Sequence, residues 1–111
     1  MFKRFFSKDI NIPTLRLTGV IGQAGIARSG LTIAGIEKLV DKLFSDNKAP
    51  AVALIINSPG GSPTQSSLIA EKIINLAKEK NKKVYAFVED VAASGGYWLA
   101  CAADEIYLDL N

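Results

Sequence analysis

The sequence lacks histidine and has one cysteine among its 111 residues. The absence of histidine excludes a Ser-His-Asp or Cys-His catalytic arrangement and any metal site with a histidine ligand. The one cysteine, Cys101, excludes an internal disulfide, and its apolar neighbours in sequence favour a small buried side chain. The spacing of Gly19, Gly22 and Gly25 matches neither a dinucleotide-binding fingerprint nor a Walker loop. We predict neither a metal nor another cofactor.

Long hydrophobic runs are missing as well, since the longest aliphatic run, Ala51–Ile56, has six residues. A membrane-spanning helix needs about 20 such residues, and the N-terminus has no apolar segment of the signal-peptide kind. These features favour a cytoplasmic protein whose contact with a membrane is at most peripheral. The 13 basic and 11 acidic residues are spread along the chain and give a net charge of +2. We therefore predict no nucleic-acid partner.

What the sequence does contain is an alternation of strand-like and helix-like stretches. Their order, β-α-β-α-β-α-β, predicts an α/β fold with right-handed crossovers and a mainly parallel sheet. An apolar strand close to Asn111 predicts that the domain continues beyond that residue. We therefore assign residues 1–13 to a tail and residues 14–111 to part of a domain. The predicted strands are Thr14–Gly22, Ala51–Asn57, Lys82–Glu89 and Glu105–Leu110, and the predicted helices begin at Thr32, Ser62 and Ser94.

Two of the predicted helices carry clear local signals. Serine is a good N-cap, so Ser62 should start the second helix, with Pro63 at the first helical position and Gln65 completing a capping box. The first helix has an apolar stripe at helical spacing, formed by Ile36, Leu39, Val40, Leu43 and Phe44.

Two glycine-rich loops follow the second and third predicted strands. Because ligands gather at the carboxyl ends of parallel strands, Asn57–Gly61 and Ala92–Gly96 should face each other across a crevice. The unshielded N–H groups of Gly60 and Gly61 lie next to the positive end of the second helix. That arrangement suits an oxyanion hole, which needs fixed donors where negative charge develops.

The second loop offers a nucleophile. Small residues on both sides of Ser94 permit a sharp strand-to-helix turn that presents its hydroxyl, as a nucleophile elbow does. Ser94 would attack a carbonyl carbon, and the Gly95 amide would join the oxyanion donors. Each loop also has a plainer interpretation as a turn that caps a helix. Tyr97 and Trp98 either line a hydrophobic substrate groove or fill the core beneath the third helix.

With INSPGGSPTQSSLIAEKI and KKVYAFVEDVAASGGYWLACAADEIY, the chain resembles the S49 peptidases, the group of signal peptide peptidase A and protease IV. The resemblance implies a fold of the Clp protease and crotonase superfamily, a spiral of β-β-α units, of which this chain would form a part. It also implies a serine nucleophile at Ser94 and oxyanion amides at Gly60 and Gly61. Family members cleave peptides within hydrophobic segments, including signal peptides, and assemble into homo-oligomers.

The resemblance further implies a lysine general base in a Ser-Lys dyad, which agrees with the absence of histidine. Burial must lower the pKa of such a lysine from about 10.4 towards neutrality. None of the ten lysines is predicted beside Ser94. The lysine is therefore expected downstream or on a partner chain, and this chain alone should be inactive. Glu89 and Asp90 are close to Ser94 in sequence, but we interpret them as solvated charges, with Asp90 ordering the loop.

The sequence thus predicts a serine endopeptidase that acts on peptide substrates. Two alternatives stay open. The missing base favours a non-catalytic or truncated subunit of such a peptidase. The loop amides could instead hold the enolate of an acyl-CoA thioester in a crotonase-like enzyme, which needs no serine. An exposed strand edge in an incomplete sheet would favour self-assembly.

Overall fold

The computed structural model describes residues 2–6, 11–22, 30–89 and 94–108, with side chains for residues 11–22, 30–89 and 96–108. No helix in these ranges is both long and apolar enough to cross a bilayer. The elements are β1 Phe2–Phe6, β2 Asn11–Thr18, α1 Ile33–Leu43, β3 Ala51–Asn57, α2 Pro63–Lys80, β4 Lys83–Val88, α3 Ser94–Ala100 and β5 Glu105–Leu108.

The strands form one sheet in the order β1-β2-β3-β4-β5. Strands β2 to β5 are parallel to one another, and β1 is antiparallel to β2, with Phe2 opposite Leu15 and Phe6 opposite Asn11. The predicted α/β class with a mainly parallel sheet is confirmed, and the arrangement is consistent with a Clp/crotonase-like fold. Strand β1 lies within residues 1–13, which the sequence analysis assigned to a tail.

Strand β2 is shifted toward the N-terminus relative to its predicted bounds. It begins at Asn11 rather than Thr14, because Asn11 to Leu15 pair with β1. It ends at Thr18 rather than Gly22, because Gly19 adopts a φ of 104°, a conformation outside the strand region. The chain therefore leaves the sheet earlier than the apolar pattern indicated.

The register divides the sheet into two faces. One face carries Arg16, Ile55 and Phe87 in a row, and the Phe87 ring stacks on that of Tyr107 with centroids 5.2 Å apart. The three helices pack on the other face. The core there includes the buried side chains of Leu15, Leu17, Val40, Leu43, Phe44, Leu54, Ile56, Ile69, Ile73, Val84, Val88 and Leu99.

Helix α1 forms where its local signals place it. Thr32 is the N-cap, and its Oγ1 accepts a hydrogen bond from the Gly35 N–H at 3.1 Å. Leu39 belongs to the predicted apolar stripe but is 39% exposed, so it lies at the rim of the buried surface. The rest of the stripe is buried against the sheet, namely Ile36, Val40, Leu43 and Phe44.

Helix α2 confirms the predicted start but corrects the role of Gln65. Ser62 is the N-cap, its Oγ accepting the Gln65 N–H at 3.1 Å, and Pro63 occupies the first helical position. A capping box also needs the Gln65 side chain to accept the Ser62 N–H. That part of the prediction is wrong, because the Ser62 N–H donates to the Ile21 carbonyl at 2.8 Å. The Gln65 Oε1 instead accepts the N–H of Ile33, the first residue of α1, at 2.8 Å. Gln65 therefore joins the first turns of two helices.

We expect Gln65→Ala to lower the free energy of unfolding by about 1–2 kcal/mol, because the half-buried Ile33 N–H loses its acceptor. Thr64→Ala, one position earlier and exposed, serves as the control and should change it by less than about 0.5 kcal/mol. Urea unfolding followed by circular dichroism measures both. Equal stabilities for the two variants would contradict the bridging role of Gln65.

Candidate active site

The loop between β3 and α2 is anchored to the end of β2 by main-chain hydrogen bonds. The Gly19 N–H donates to the Asn57 carbonyl at 3.0 Å, and the Ile21 N–H donates to the Gly60 carbonyl at 2.9 Å. Gly60 and Gly61 adopt φ angles of 98° and 146°, which side chains strongly disfavour. A Cβ on Gly61 would lie 2.1 Å from the Ile21 carbonyl oxygen. The loop therefore requires glycine at Gly61 for both conformation and space.

The two predicted oxyanion amides differ in their surroundings. The Gly60 N–H donates to the Oγ of Ser58 at 3.1 Å, and Ser58 itself is fully buried. Within the described part of the chain, the Gly61 N–H donates no hydrogen bond, and Gly61 is exposed. Gly61 thus offers the accessible donor, whereas Gly60 stabilises the loop from within.

Helix α3 packs directly on this loop. A Cβ added to Gly96 would lie 2.9 Å from the Ser58 carbonyl oxygen and 3.1 Å from the Cγ2 of Ile56. The first turn of α3 is therefore in van der Waals contact with the end of β3 and the start of the loop. The predicted approach of the two glycine motifs is present in the backbone.

Ser94 is the first residue of α3, and Gly95 follows it in the first turn. The N–H groups of a first helical turn lack acceptors within the helix, so the Gly95 amide has no acceptor within α3, and its role as an oxyanion donor stays a prediction. The side chain of Ser94 lies outside the described part of the structure, as does residue 90. The roles of Ser94 as nucleophile and of Asp90 in ordering the loop thus stay predictions.

The outer surface of α3 is more exposed than a core helix would be. Tyr97 is 47% exposed and Trp98 is 59% exposed, so neither fills the core. Cys101 is also exposed, which corrects the predicted burial. The buried residues of α3 are Leu99 and Ala100, and Cys101 follows the end of the helix, turned away from them. An apolar groove of about 440 Å³ lies between α3 and α2, lined by Ser67, Ala70, Glu71, Ile74, Trp98, Cys101 and Ala102.

The lysines whose side chains the structure describes lie on the polar faces of α1 and α2, in the turns before β3 and β4, or at the first residue of β4. The hydrogen bond that the Lys72 Nζ donates to the Asp41 carboxylate raises the pKa of Lys72, which is the opposite of what a general base needs. Desolvation lowers the pKa of Lys82, but its Nζ donates to the Asp46 carbonyl at the far end of the sheet from the glycine loop. None of these positions suits a base for Ser94.

Glu89 has a different environment from the solvated one predicted for it. Its carboxylate pairs with Arg16, Nη1 to Oε1 at 2.5 Å, and the two side chains are 38% and 29% exposed. Glu89 alternates with Val88 along the chain, and Val88 belongs to the helix-covered core. The ion pair therefore lies on the sheet face opposite α3. Sequence reasoning missed this pair because its partners are far apart in the chain.

Ser58 is the other feature of the site that the sequence analysis did not single out. Its full burial and its acceptance of the Gly60 N–H fix the start of the glycine loop. The local signal was present, because serine before proline and glycine often bonds to a backbone N–H two residues on. The sequence alone did not reveal that α3 would press on the same residue.

Comparisons with known proteins identify sequence relatives of this chain. A sequence model of peptidase family S49 matches residues 76–111. Protease 4 of Haemophilus influenzae is 42% identical over 76 residues, covering 68% of this chain and 12% of that protein. The chloroplastic serine protease SPPA of Arabidopsis thaliana is 38% identical over 109 residues, covering 84% of this chain and 16% of that protein.

A relative with a different name covers nearly the whole chain. A protein of Brucella melitensis named Na(+)/H(+) antiporter NhaA is 51% identical over 108 residues, which is 96% of this chain and 15% of that protein. The chain thus spans less than a fifth of the length of each of these three relatives. Their names describe proteins much longer than the segment they share with this chain.

Proposed function

This chain belongs to peptidase family S49, and from that premise we propose that it supplies the nucleophile and the oxyanion hole of a serine endopeptidase. The observation that carries the proposal is the contact of Gly96 with the Ser58 carbonyl, which brings the first turn of α3 against the glycine loop. Two motifs that are 30 residues or more apart in sequence thus meet at one end of the sheet, as a nucleophile and its oxyanion donors must.

In the proposed reaction, the Ser94 Oγ attacks the carbonyl carbon of a peptide bond. The negative charge that develops on the carbonyl oxygen is held by the N–H groups of Gly61 and Gly95. Gly60 shapes the loop through its bond to Ser58. The amide nitrogen leaves with a proton, and water then hydrolyses the acyl-enzyme, which restores the serine.

The base that accepts the serine proton is a lysine outside the described residues, supplied by a longer form of the protein or by a partner subunit. Lys72 is paired with Asp41, Lys82 donates to the Asp46 carbonyl, and Glu89 is held by Arg16 on the other sheet face. The substrates are peptides with hydrophobic segments, and assembly into a homo-oligomer belongs to the same proposal.

The antiporter name of the Brucella protein does not favour ion transport by this segment. The shared region is 15% of that protein, and a peptidase family model matches residues within the same region of this chain. Two other relatives with a protease name share the region as well. We therefore attribute the shared segment to peptidase chemistry.

The proposal is tested with a fluorophosphonate probe on the full-length natural protein that contains this chain. We expect labelling to map to Ser94 and to disappear in Ser94→Ala, because the probe reacts with activated serines. Ser67→Ala, at an exposed serine of α2, is the control and should label like the wild type. A folded protein that carries its lysine and stays unlabelled would refute the peptidase, and binding of a CoA ester by that protein would favour the acyl-CoA alternative.

A further inference from the structure

An ion pair joins two strands that are not neighbours in the sheet. The Arg16 guanidinium, on β2, contacts the carboxylate of Glu89, the residue after β4, with Nη1 and Oε1 2.5 Å apart. Strand β3 lies between β2 and β4, so the two side chains meet over it across about 10 Å of sheet. The Glu89 N–H donates to the Ile56 carbonyl at 2.9 Å. Glu89 is thus fixed to β3 by its backbone and to β2 by its side chain.

The strands that this ion pair joins carry the two halves of the proposed site. The glycine loop, Asn57–Gly61, is held by β2 and the residues after it, where the Ile21 N–H donates to the Gly60 carbonyl at 2.9 Å. Helix α3 packs instead on the end of β3, because a Cβ on Gly96 would lie 3.1 Å from the Cγ2 of Ile56. A movement of β2 against β3 and β4 at this end would therefore displace the glycine loop from α3.

The ion pair and the helices act on opposite faces of the sheet. Arg16 lies in one row with Ile55 and Phe87 on the face away from the helices, and Glu89 follows Phe87 on that face at the period of a strand. The helices pack the strands together from one side. The ion pair braces the same three strands from the other side, at their carboxyl ends.

The exposure of this ion pair indicates a small contribution to global stability. The two side chains are 29% and 38% exposed, and solvent screens pairs of this kind. Reaction geometry is much more sensitive, since a misplacement of about 1 Å can slow a reaction about 10²-fold. The ion pair is therefore expected to affect the rate at the site more than the stability of the fold.

Building on the proposed peptidase function, we propose that Arg16 and Glu89 are positioning residues for the oxyanion hole. Their ion pair holds the carboxyl ends of β2, β3 and β4 together, and so keeps the Gly61 N–H at a fixed distance from the first turn of α3. Neither side chain contacts the substrate, because both lie on the face opposite α3. Loss of either partner leaves the other charge half-buried and unpaired, which favours a movement of the strand ends toward solvent.

The test compares fluorophosphonate labelling of Ser94 among variants of the full-length natural protein that contains this chain. We expect Arg16→Met and Glu89→Gln each to lower the labelling rate at saturating probe by about tenfold, with the half-saturating probe concentration unchanged, because the oxyanion donors are displaced. The double variant should label no more slowly than either single variant, because the two residues act as one pair. The exchanged pair, Arg16→Glu with Glu89→Arg, restores opposite charges and should recover most of the lost rate.

Lys72→Met is the matched control. Lys72 and Asp41 form a comparable ion pair between α2 and α1, with Nζ and Oδ1 2.7 Å apart and the Lys72 side chain also 29% exposed. Lys72 lies about 15 Å along α2 from Ser62, the end nearest the glycine loop. Its variant should shift the urea unfolding midpoint as little as Arg16→Met does, and should label like the wild type. A merely structural role for Arg16 and Glu89 would make the two pairs behave alike.

Hydrogen exchange of Asn57–Ser62, followed by mass spectrometry, provides a second readout that needs no reactive serine. Exchange of this segment should be faster in Arg16→Met than in the wild type, and unchanged in Lys72→Met, because only the first variant frees the glycine loop.

Three results would overturn the positioning role and leave the peptidase in place: wild-type labelling in both single variants, losses that multiply in the double variant, or no recovery in the exchanged pair. A folded wild type that carries its lysine and is not labelled removes the peptidase instead. In that case the exchange of Asn57–Ser62 alone decides whether the ion pair holds the loop, and equal exchange in Arg16→Met and the wild type would refute it.

Discussion

Gly61→Ala is expected to lower the free energy of unfolding by about 3 kcal/mol and to reduce probe labelling of Ser94 at least about 10²-fold, as loss of an oxyanion donor does. The new Cβ would lie 2.1 Å from the Ile21 carbonyl oxygen, and the φ of 146° is unfavourable for alanine. The loop must move away from β2 to relieve this overlap. Because the Gly61 N–H is chemically retained, any loss of labelling measures its displacement.

Gly19→Ala is the matched control for this prediction. Gly19 also has a positive φ, 104°, but a Cβ there would meet no atom within 4 Å. Gly19→Ala should therefore lower the free energy of unfolding only through its backbone conformation, by about 1–2 kcal/mol. Probe labelling of Ser94 should be nearly unchanged. Urea unfolding and labelling rates for the two variants then isolate the effect of the close approach between Gly61 and Ile21. Indistinguishable variants would show that the approach is not present in solution.

The elements that could be predicted from the sequence are those with local causes. Strand β3, Ala51–Asn57, matches its predicted bounds because a continuous apolar run that is too short for a helix and lies between turn residues is typical of a strand buried on both faces. The start of α2 at Pro63 follows from the chemistry of Ser62, which bonds to a residue three positions away. Such signals involve neighbours in sequence and do not depend on the rest of the fold.

The features that the sequence did not reveal have partners distant in the chain. Strand β1 has no alternating pattern of its own and is defined by its pairing with Asn11 to Leu15. Gln65 satisfies the local rule for a capping box, yet its side chain reaches α1, because the Ser62 N–H is taken by Ile21. The ion pair of Arg16 with Glu89 joins residues from either side of β3. In each case tertiary contact outweighs local preference.

The candidate site falls between these two cases. That the two glycine motifs lie close together could be predicted, because ligands gather at the carboxyl ends of parallel strands. The structure shows the contact through which the two motifs meet, since Gly96 lies against the Ser58 carbonyl. It also distinguishes Gly60, whose N–H is engaged, from Gly61, whose N–H is not bonded within the described residues. Periodicity and spacing cannot supply that distinction, because it depends on which way each peptide plane turns.

The second prediction with a large expected effect concerns the contact between α3 and the glycine loop. Gly96→Val is expected to lower the free energy of unfolding by about 2–3 kcal/mol through overpacking. Probe labelling of Ser94 should fall at least about 10²-fold, the effect of a displacement near 1 Å in a reacting geometry. The Cβ alone would be 2.9 Å from the Ser58 carbonyl oxygen, and the valine methyl groups would add contacts with Ile56. Helix α3 must therefore shift away from the loop.

Gly35→Val is the matched control, because Gly35 is the third residue of α1 as Gly96 is of α3. Gly35 is exposed, and a Cβ there would meet only the Thr32 side chain, at 3.2 Å. The free energy of unfolding of Gly35→Val should change by less than about 1 kcal/mol, and probe labelling of Ser94 should persist. If Gly96→Val folds and labels as fast as Gly35→Val, the two loops do not need to touch for the serine to react. The physical basis for assigning a nucleophile and an oxyanion hole to one site would then be lost, whatever the family resemblance.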